Sequence, residues 1–167
     1  MNIKSLTFFF LLFCLNNVCF SQNKQETEEW VLSKFNNYAN SGMSALGNSF
    51  QKTLKFSIRD GKLIGRDQRL SYSIDLKNVS DISYNFLEGF HDDTFGNIPS
   101  IVMVKIQCKG GNCVKLYSLN NEPTGSFSDI SISMDDGFKG DNLPDRMKKA
   151  FKNLIQFNGG QLVTEKY

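Results

Sequence analysis

Near its C-terminus the chain carries a stretch, Asp141 to Gly160, whose residue pattern leaves little choice of conformation. Asn142 stands where it can cap a helix by accepting from free N–H groups of the first turn. Pro144 falls in that turn, where the N–H it lacks has no partner anyway. Asp145, three residues after the cap, suits the positive helix end. Leu143, Met147, Ala150, Phe151, Leu154 and Ile155 recur at helical spacing and form one apolar stripe, with Lys148, Lys149 and Lys152 on the other side. Asn158-Gly159-Gly160 supplies a left-handed stop. Burying the large side chains of that stripe at ~1.5–3 kcal/mol each gives on the order of 10 kcal/mol. That is an upper bound, because an unfolded chain is partly compact, yet it rivals the net stability of a whole domain. The helix therefore demands a partner surface, which the rest of the chain has to build.

A meander of short strands provides it. Phe50, Leu54, Phe56 and Ile58 belong to a half-buried first strand, and Asp60-Gly61 is a tight hairpin turn. Lys62 to Arg66 forms a second strand around Leu63 and Ile64. Tyr72, Ile74 and Leu76 alternate in a third, and after Lys77-Asn78 a fourth carries Ile82, Tyr84 and Phe86. Glu88 to Asn97 reads as a loop. Ile98 to Cys108 is the most apolar strand, with Val102, Val104 and Ile106 on one face, and Gly110-Gly111-Asn112 reads as a hairpin turn pairing it with Cys113 to Leu119. Asn120 to Gly125 is a loop containing Pro123, and Ile130, Ile132 and Met134 mark the last strand. Ahead of these seven or so strands, residues 22–42 suit an N-terminal helix, with Thr27 as its cap, Val31, Leu32, Phe35, Tyr38 and Ala39 on its apolar face and Trp30 at the border. The expectation is one β-rich domain over 49–160, including its C-terminal helix, followed by a short tail at 161–167.

The first 21 residues set the compartment. Lys4 precedes an apolar run from Leu6 to Leu15, which reads as a secretory signal peptide cleaved after Ser21, with a cut after Cys19 as the competing choice. The run is too short to span a bilayer. The expected location is therefore the periplasm or the medium. Loss of Lys4 brings the basic residues to 18 against 17 acidic ones, a balance that argues against nucleic acid as a partner. Cys14 and Cys19 fall in the signal, so the mature pair is Cys108 and Cys113, and export makes a structural disulfide the expectation.

The strand order, the passage Tyr72-Ser73-Ile74-Asp75-Leu76-Lys77-Asn78-Val79-Ser80-Asp81-Ile82 and the final helix together resemble the pleckstrin-homology-like fold. The resemblance covers Ser49 to Asn158. It implies an antiparallel seven-strand barrel or sandwich capped by the C-terminal helix. With Phe20-Ser21-Gln22 at the end of the signal and an Asn- and Lys-rich composition, the chain also resembles small exported proteins of Bacteroidetes-type bacteria. Phosphoinositide-binding members of the fold use basic residues around the first hairpin. Lys52, Lys55, Arg59, Lys62, Arg66 and Arg69 are here, but Asp60-Gly61 leaves a loop too tight to surround a headgroup. They read as a solvated face.

Catalytic patterns are sparse. The one histidine, His91, lies in Glu88-Gly89-Phe90-His91-Asp92-Asp93, so a hydrolase would have to draw on Glu88, His91 and Asp92. No Gly-x-Ser-x-Gly elbow, Walker loop or dinucleotide fingerprint is present. The acidic loop around His91 could ligate a divalent metal but lacks helical His spacing and the calcium-loop pattern, and reads as exposed. Asp135 to Asp141, Gly- and Asp-rich, could hold calcium but reads first as a polar strand-to-helix connection, and no cofactor is expected. The leading expectation is a non-catalytic module that binds a protein or peptide, for instance as an added strand. A carrier of a small apolar ligand, with a lipocalin-like cavity, is the alternative, and the hydrolase is another.

Overall fold

The computed structural model describes residues 24–40, 54–68, 70–93, 96–118 and 120–161. The expected signal peptide, the end of the N-terminal helix at Ser41-Gly42, the first residues of the first strand and residues 162–167 of the tail lie outside them. Helix α1 covers residues 24–38. The strands are β1 (Lys55–Arg59), β2 (Lys62–Arg66), β3 (Ser71–Asp75), β4 (Val79–Leu87), β5 (Phe90–Asp92), β6 (Gly96–Ile98), β7 (Ile101–Cys108), β8 (Val114–Tyr117), β9 (Pro123–Phe127) and β10 (Asp129–Asp135), and helix α2 is Leu143–Phe157. Every pairing is antiparallel. One sheet runs β1-β2-β3-β8-β9, a second β10-β7-β4, and β5-β6 is a separate ribbon.

Among the described residues ten strands thus stand where about seven were expected, and the two large sheets are hydrogen-bonded separately without closing into a barrel. The additions have simple causes. β5 and β6 are three residues each, too short to show alternation. β9 starts at Pro123 and holds Gly125, a composition that reads as loop. It survives as a strand because it is an edge, where a missing N–H costs no ladder bond. The Asp60-Gly61 turn is as read: both residues have positive φ, 50° and 71°, which matches the twist of a two-residue hairpin.

The Gly110-Gly111-Asn112 turn differs from its reading. β7 and β8 do not pair; the chain turns a corner there and passes from one sheet to the other. Two further crossings meet it at the same corner. The 3-10 turn Leu76–Asn78 takes β3 into β4, and Ser128 takes β9 into β10. Backbone bonds lace the three together: Asp75 N–H donates to Cys113 O (3.0 Å), Lys109 N–H to Asn78 O (2.7 Å) and Cys108 N–H to Ser128 O (2.8 Å). The Cys108–Cys113 disulfide spans this corner with its Cα atoms 5.5 Å apart.

Two cap assignments also change. Asn142 precedes α2 but sits at φ 54°, and its side chain makes no capping bond; Asp141 beside it is left-handed too. The entry is set instead by the kinked segment Asp136–Asn142, extended at Gly140 and left-handed at Asp141 and Asn142, in which Phe138 is buried. Thr27 lies inside α1, which already includes Lys24. The C-terminal stop of α2 is as read. Gly159, at φ 80°, donates to Gln156 O, and Gly160 donates to Ile155 O, the paired bonds of a left-handed helix end.

The core lies between the sheets and under both helices. Phe35 of α1 is the junction, with its ring 4.9 Å from Phe56 of β1 and 5.9 Å from Phe151 of α2. Phe138 sits against Tyr38 and Tyr84. Leu63, Ile74, Leu76, Val102, Val104, Ile106, Met134, Met147 and Phe151 all have zero exposure. These side chains pack together without solvent-accessible surface.

Candidate functional site

His91 is exposed on β5, and its Nδ1 lies 2.8 Å from Asn97 Oδ1 of β6. The amide oxygen can only accept, so in this contact Nδ1 donates. Asp92 follows His91 in the same strand, and alternation puts the two on opposite faces of the ribbon. Glu88 is exposed ahead of it. Glu88 and His91 are thus exposed, and Asp92 is half-buried. Among the described residues no three His, Cys, Asp or Glu side chains gather as a metal set.

A concave feature among the described residues lies between the two helices. Glu26, Thr27 and Trp30 of α1 face Arg146, Lys149, Ala150 and Asn153 of α2 across an open groove of about 390 Å³. Helical spacing explains both walls. Arg146, Lys149 and Asn153 are i, i+3 and i+7, one donor-bearing stripe beside the buried stripe of Met147, Phe151 and Leu154. Glu26 and Trp30 are i and i+4 on α1. The Arg146 guanidinium lies 5.4 Å from the Trp30 ring centroid and Lys34 Nζ 5.7 Å from it, both within cation–π range. Each such contact contributes about 0.5–1 kcal/mol at an exposed site. Among the described residues neither Arg146 nor Lys149 forms an ion pair, whereas Lys24 is paired with Glu28.

A second feature is the treatment of the sheet edges. The Asn36 side chain of α1 works as a strand surrogate on β1: its Oδ1 accepts from Phe56 N–H (2.8 Å) and its Nδ2 donates to Phe56 O (3.2 Å). The chain leaving α1 covers the edge of β10, with Ala39 bridged to Met134 and Asn40 N–H donating to Ser133 O (2.8 Å). β9 is blunted by Pro123 and a register break beside Tyr117. β4 has a bulge between Val79 and Asp81, but its second half, Ser83 to Leu87, pairs with β7 in unbroken register, and β4 ends the sheet. That half carries Phe86 (48% exposed) and Leu87 (43%), and Phe90 of the adjoining ribbon is 59% exposed. Lys139 Nζ lies 5.6 Å from the Phe86 ring centroid.

Compared with known proteins, the chain matches no family model, no curated protein and no solved structure. Cys108 and Cys113 are the one expected residue pair that the structure brings together, and their position is a structural corner. Asn36 and the Arg146–Lys149–Asn153 stripe went unread in the sequence. The stripe's spacing was visible, but its opposite wall comes from a helix more than a hundred residues away. Asn36 shows its role only beside a strand edge.

Proposed function

We propose that this chain is an exported, non-catalytic binding module that takes an extended peptide segment of a partner protein along β4. The observation that carries this reading is the unequal protection of the four edges of the two large sheets. α1 and the two residues after it block β1 and β10, β9 is blunted by composition, and among the described residues Ser83 to Leu87 of β4 is left as an unbroken edge beside exposed aromatic and aliphatic side chains. Unprotected edges of this kind invite promiscuous pairing, so a retained one fits a use. An added strand would find main-chain hydrogen bonds along Ser83–Leu87 and apolar contacts at Phe86, Leu87 and Phe90.

Export to the periplasm or the medium rests on the signal-like residues 1–21 and is in keeping with the disulfide. Membership of the pleckstrin-homology-like group rests on two packed antiparallel sheets with a C-terminal helix, the order the resemblance implies, here enlarged by β5, β6 and β9. A core packed without solvent-accessible surface favours peptide docking at an edge over an internal apolar cavity. The opposed faces of His91 and Asp92 favour binding over hydrolysis at that ribbon.

The test is selection of peptides from a random display library against the mature chain, followed by hydrogen exchange on the complex. Selected peptides are expected to slow exchange of amides within Ser83–Leu87, and Leu87→Lys is expected to weaken them about tenfold. No enrichment, or binders that leave these amides unprotected, would overturn the reading.

A further inference from the structure

We propose that the groove between α1 and α2 is a second, separate binding site that takes a small soluble organic anion, a carboxylate or phosphate carried on a compact apolar body. Its volume, about 390 Å³, lies in the range of small-molecule sites. Its chemistry is uneven in a way that selects a ligand. The α2 wall offers donors: the Arg146 fork, the Lys149 ammonium and the Asn153 amide. The α1 wall offers the Trp30 indole, and Ala150 gives α2 a small apolar patch.

Arg146 and Lys149 lack carboxylate partners among the described residues, although acidic residues are nearly as numerous as basic ones in the chain. The Arg146 guanidinium carbon lies 5.4 Å from the Trp30 centroid, a cation–π contact that uses none of its N–H groups. A fork with those donors free matches a carboxylate or phosphate in two-bond geometry. Lys149, one turn further along α2, adds a second charge on the same wall. Glu26 is the one carboxylate lining the groove. It opposes an anion from the far wall, so the site carries one net positive charge rather than two. Lys34, whose Nζ lies 5.7 Å from the Trp30 centroid, adds to the positive field. None of these residues belongs to the β4 edge, so either site can fail without the other.

Trp30 is the only tryptophan in the chain, so indole emission reports on this groove alone. The mature protein is titrated with phenylphosphate and phenylacetate, with inorganic phosphate as the anion lacking a body, and with benzylamine as the body carrying the opposite charge. Calorimetry provides a readout independent of the indole. Both aryl anions are expected to give a saturable change, with inorganic phosphate and benzylamine at least about tenfold weaker. Arg146→Gln is expected to weaken the aryl anions about tenfold or more with the far-UV circular dichroism unchanged, since Arg146 is exposed. Glu26→Gln is expected to tighten them by removing the opposing charge. Absence of saturable binding, equal binding of inorganic phosphate or benzylamine, or affinity indifferent to Arg146→Gln would each overturn the proposal.

Discussion

The Tyr72 hydroxyl is buried without a hydrogen-bond partner among the described residues. Its ring faces Phe56 in the core and lies across Gly65 of the neighbouring strand, so close that a Cβ there would stand 2.6 Å from the phenol oxygen. The side chain therefore contributes its ring to packing, while its hydroxyl is desolvated for no return. Burial, with Asp67 as a smaller contribution, pushes this phenol above its ordinary value. The folded state thus holds the proton to higher pH than the unfolded chain does. Its stability is complete below the unfolded value near ~10 and is lost above it, by about 1.4 kcal/mol per pH unit for one such group. Tyr72→Phe is expected to be neutral or stabilising by up to ~1 kcal/mol at pH 7. It should also blunt the alkaline loss, leaving Tyr84, raised mainly by burial and then by Asp145 and Asp81, to carry the remainder. Urea unfolding at neutral and alkaline pH measures both effects. A loss of more than ~1 kcal/mol at pH 7 would mean that the hydroxyl has a partner after all.

At the scale of the element, α1 does two jobs that its sequence shows unequally. The apolar spacing of Val31, Phe35 and Ala39 announces a buried face, and all three have zero exposure. Asn36, one position along, looks like any polar residue on a helix, because a helical pattern contains nothing about the strand edge it will meet. Its two bonds to Phe56 tie α1 to β1 and fill the edge at the same time. Asn36→Ala should leave the Phe56 N–H and C=O without partners in a half-buried place, costing about 1–3 kcal/mol in urea unfolding. It should also raise self-association measured by light scattering, because an edge is opened. Unchanged stability would reduce Asn36 to a surface residue. α2 was legible almost throughout, since its stripe, first-turn proline and glycine stop are local signals. β9 and the β5–β6 ribbon were not. Pro123 and Gly125 are loop residues by composition, and only the neighbouring strand β8 makes them a strand.

At the scale of the molecule, the corner decides how the two sheets are held, and here local signals mislead. Gly110-Gly111-Asn112 between two apolar runs has the form of a hairpin turn. What overrides it is the pairing available to each side: β7 is flanked by β4 and β10, which leaves no room for β8, and β8 finds β3 and β9 in the other sheet. The bridged pair was readable from the expected compartment and the cysteine count; its duty at the corner was not. Chain entropy alone gives a disulfide closing so short a loop about 2 kcal/mol. The corner adds a local effect. Cys108 N–H bonds to Ser128, Lys109 N–H to Asn78 and Asp75 N–H to Cys113, so every crossing is tied to the bridged loop. The double variant Cys108→Ala, Cys113→Ala should therefore fold but lose about 2 kcal/mol in urea unfolding. Its exchange should quicken first at the amides of Asp75, Cys108 and Lys109, while those of Val104 and Ile106 in central β7 keep their protection relative to global unfolding. Reduction of the native protein should reproduce the same pattern. A uniform loss across β7 and the corner would mean that the bridge acts only on the unfolded chain, and that the hydrogen bonds hold the corner without it.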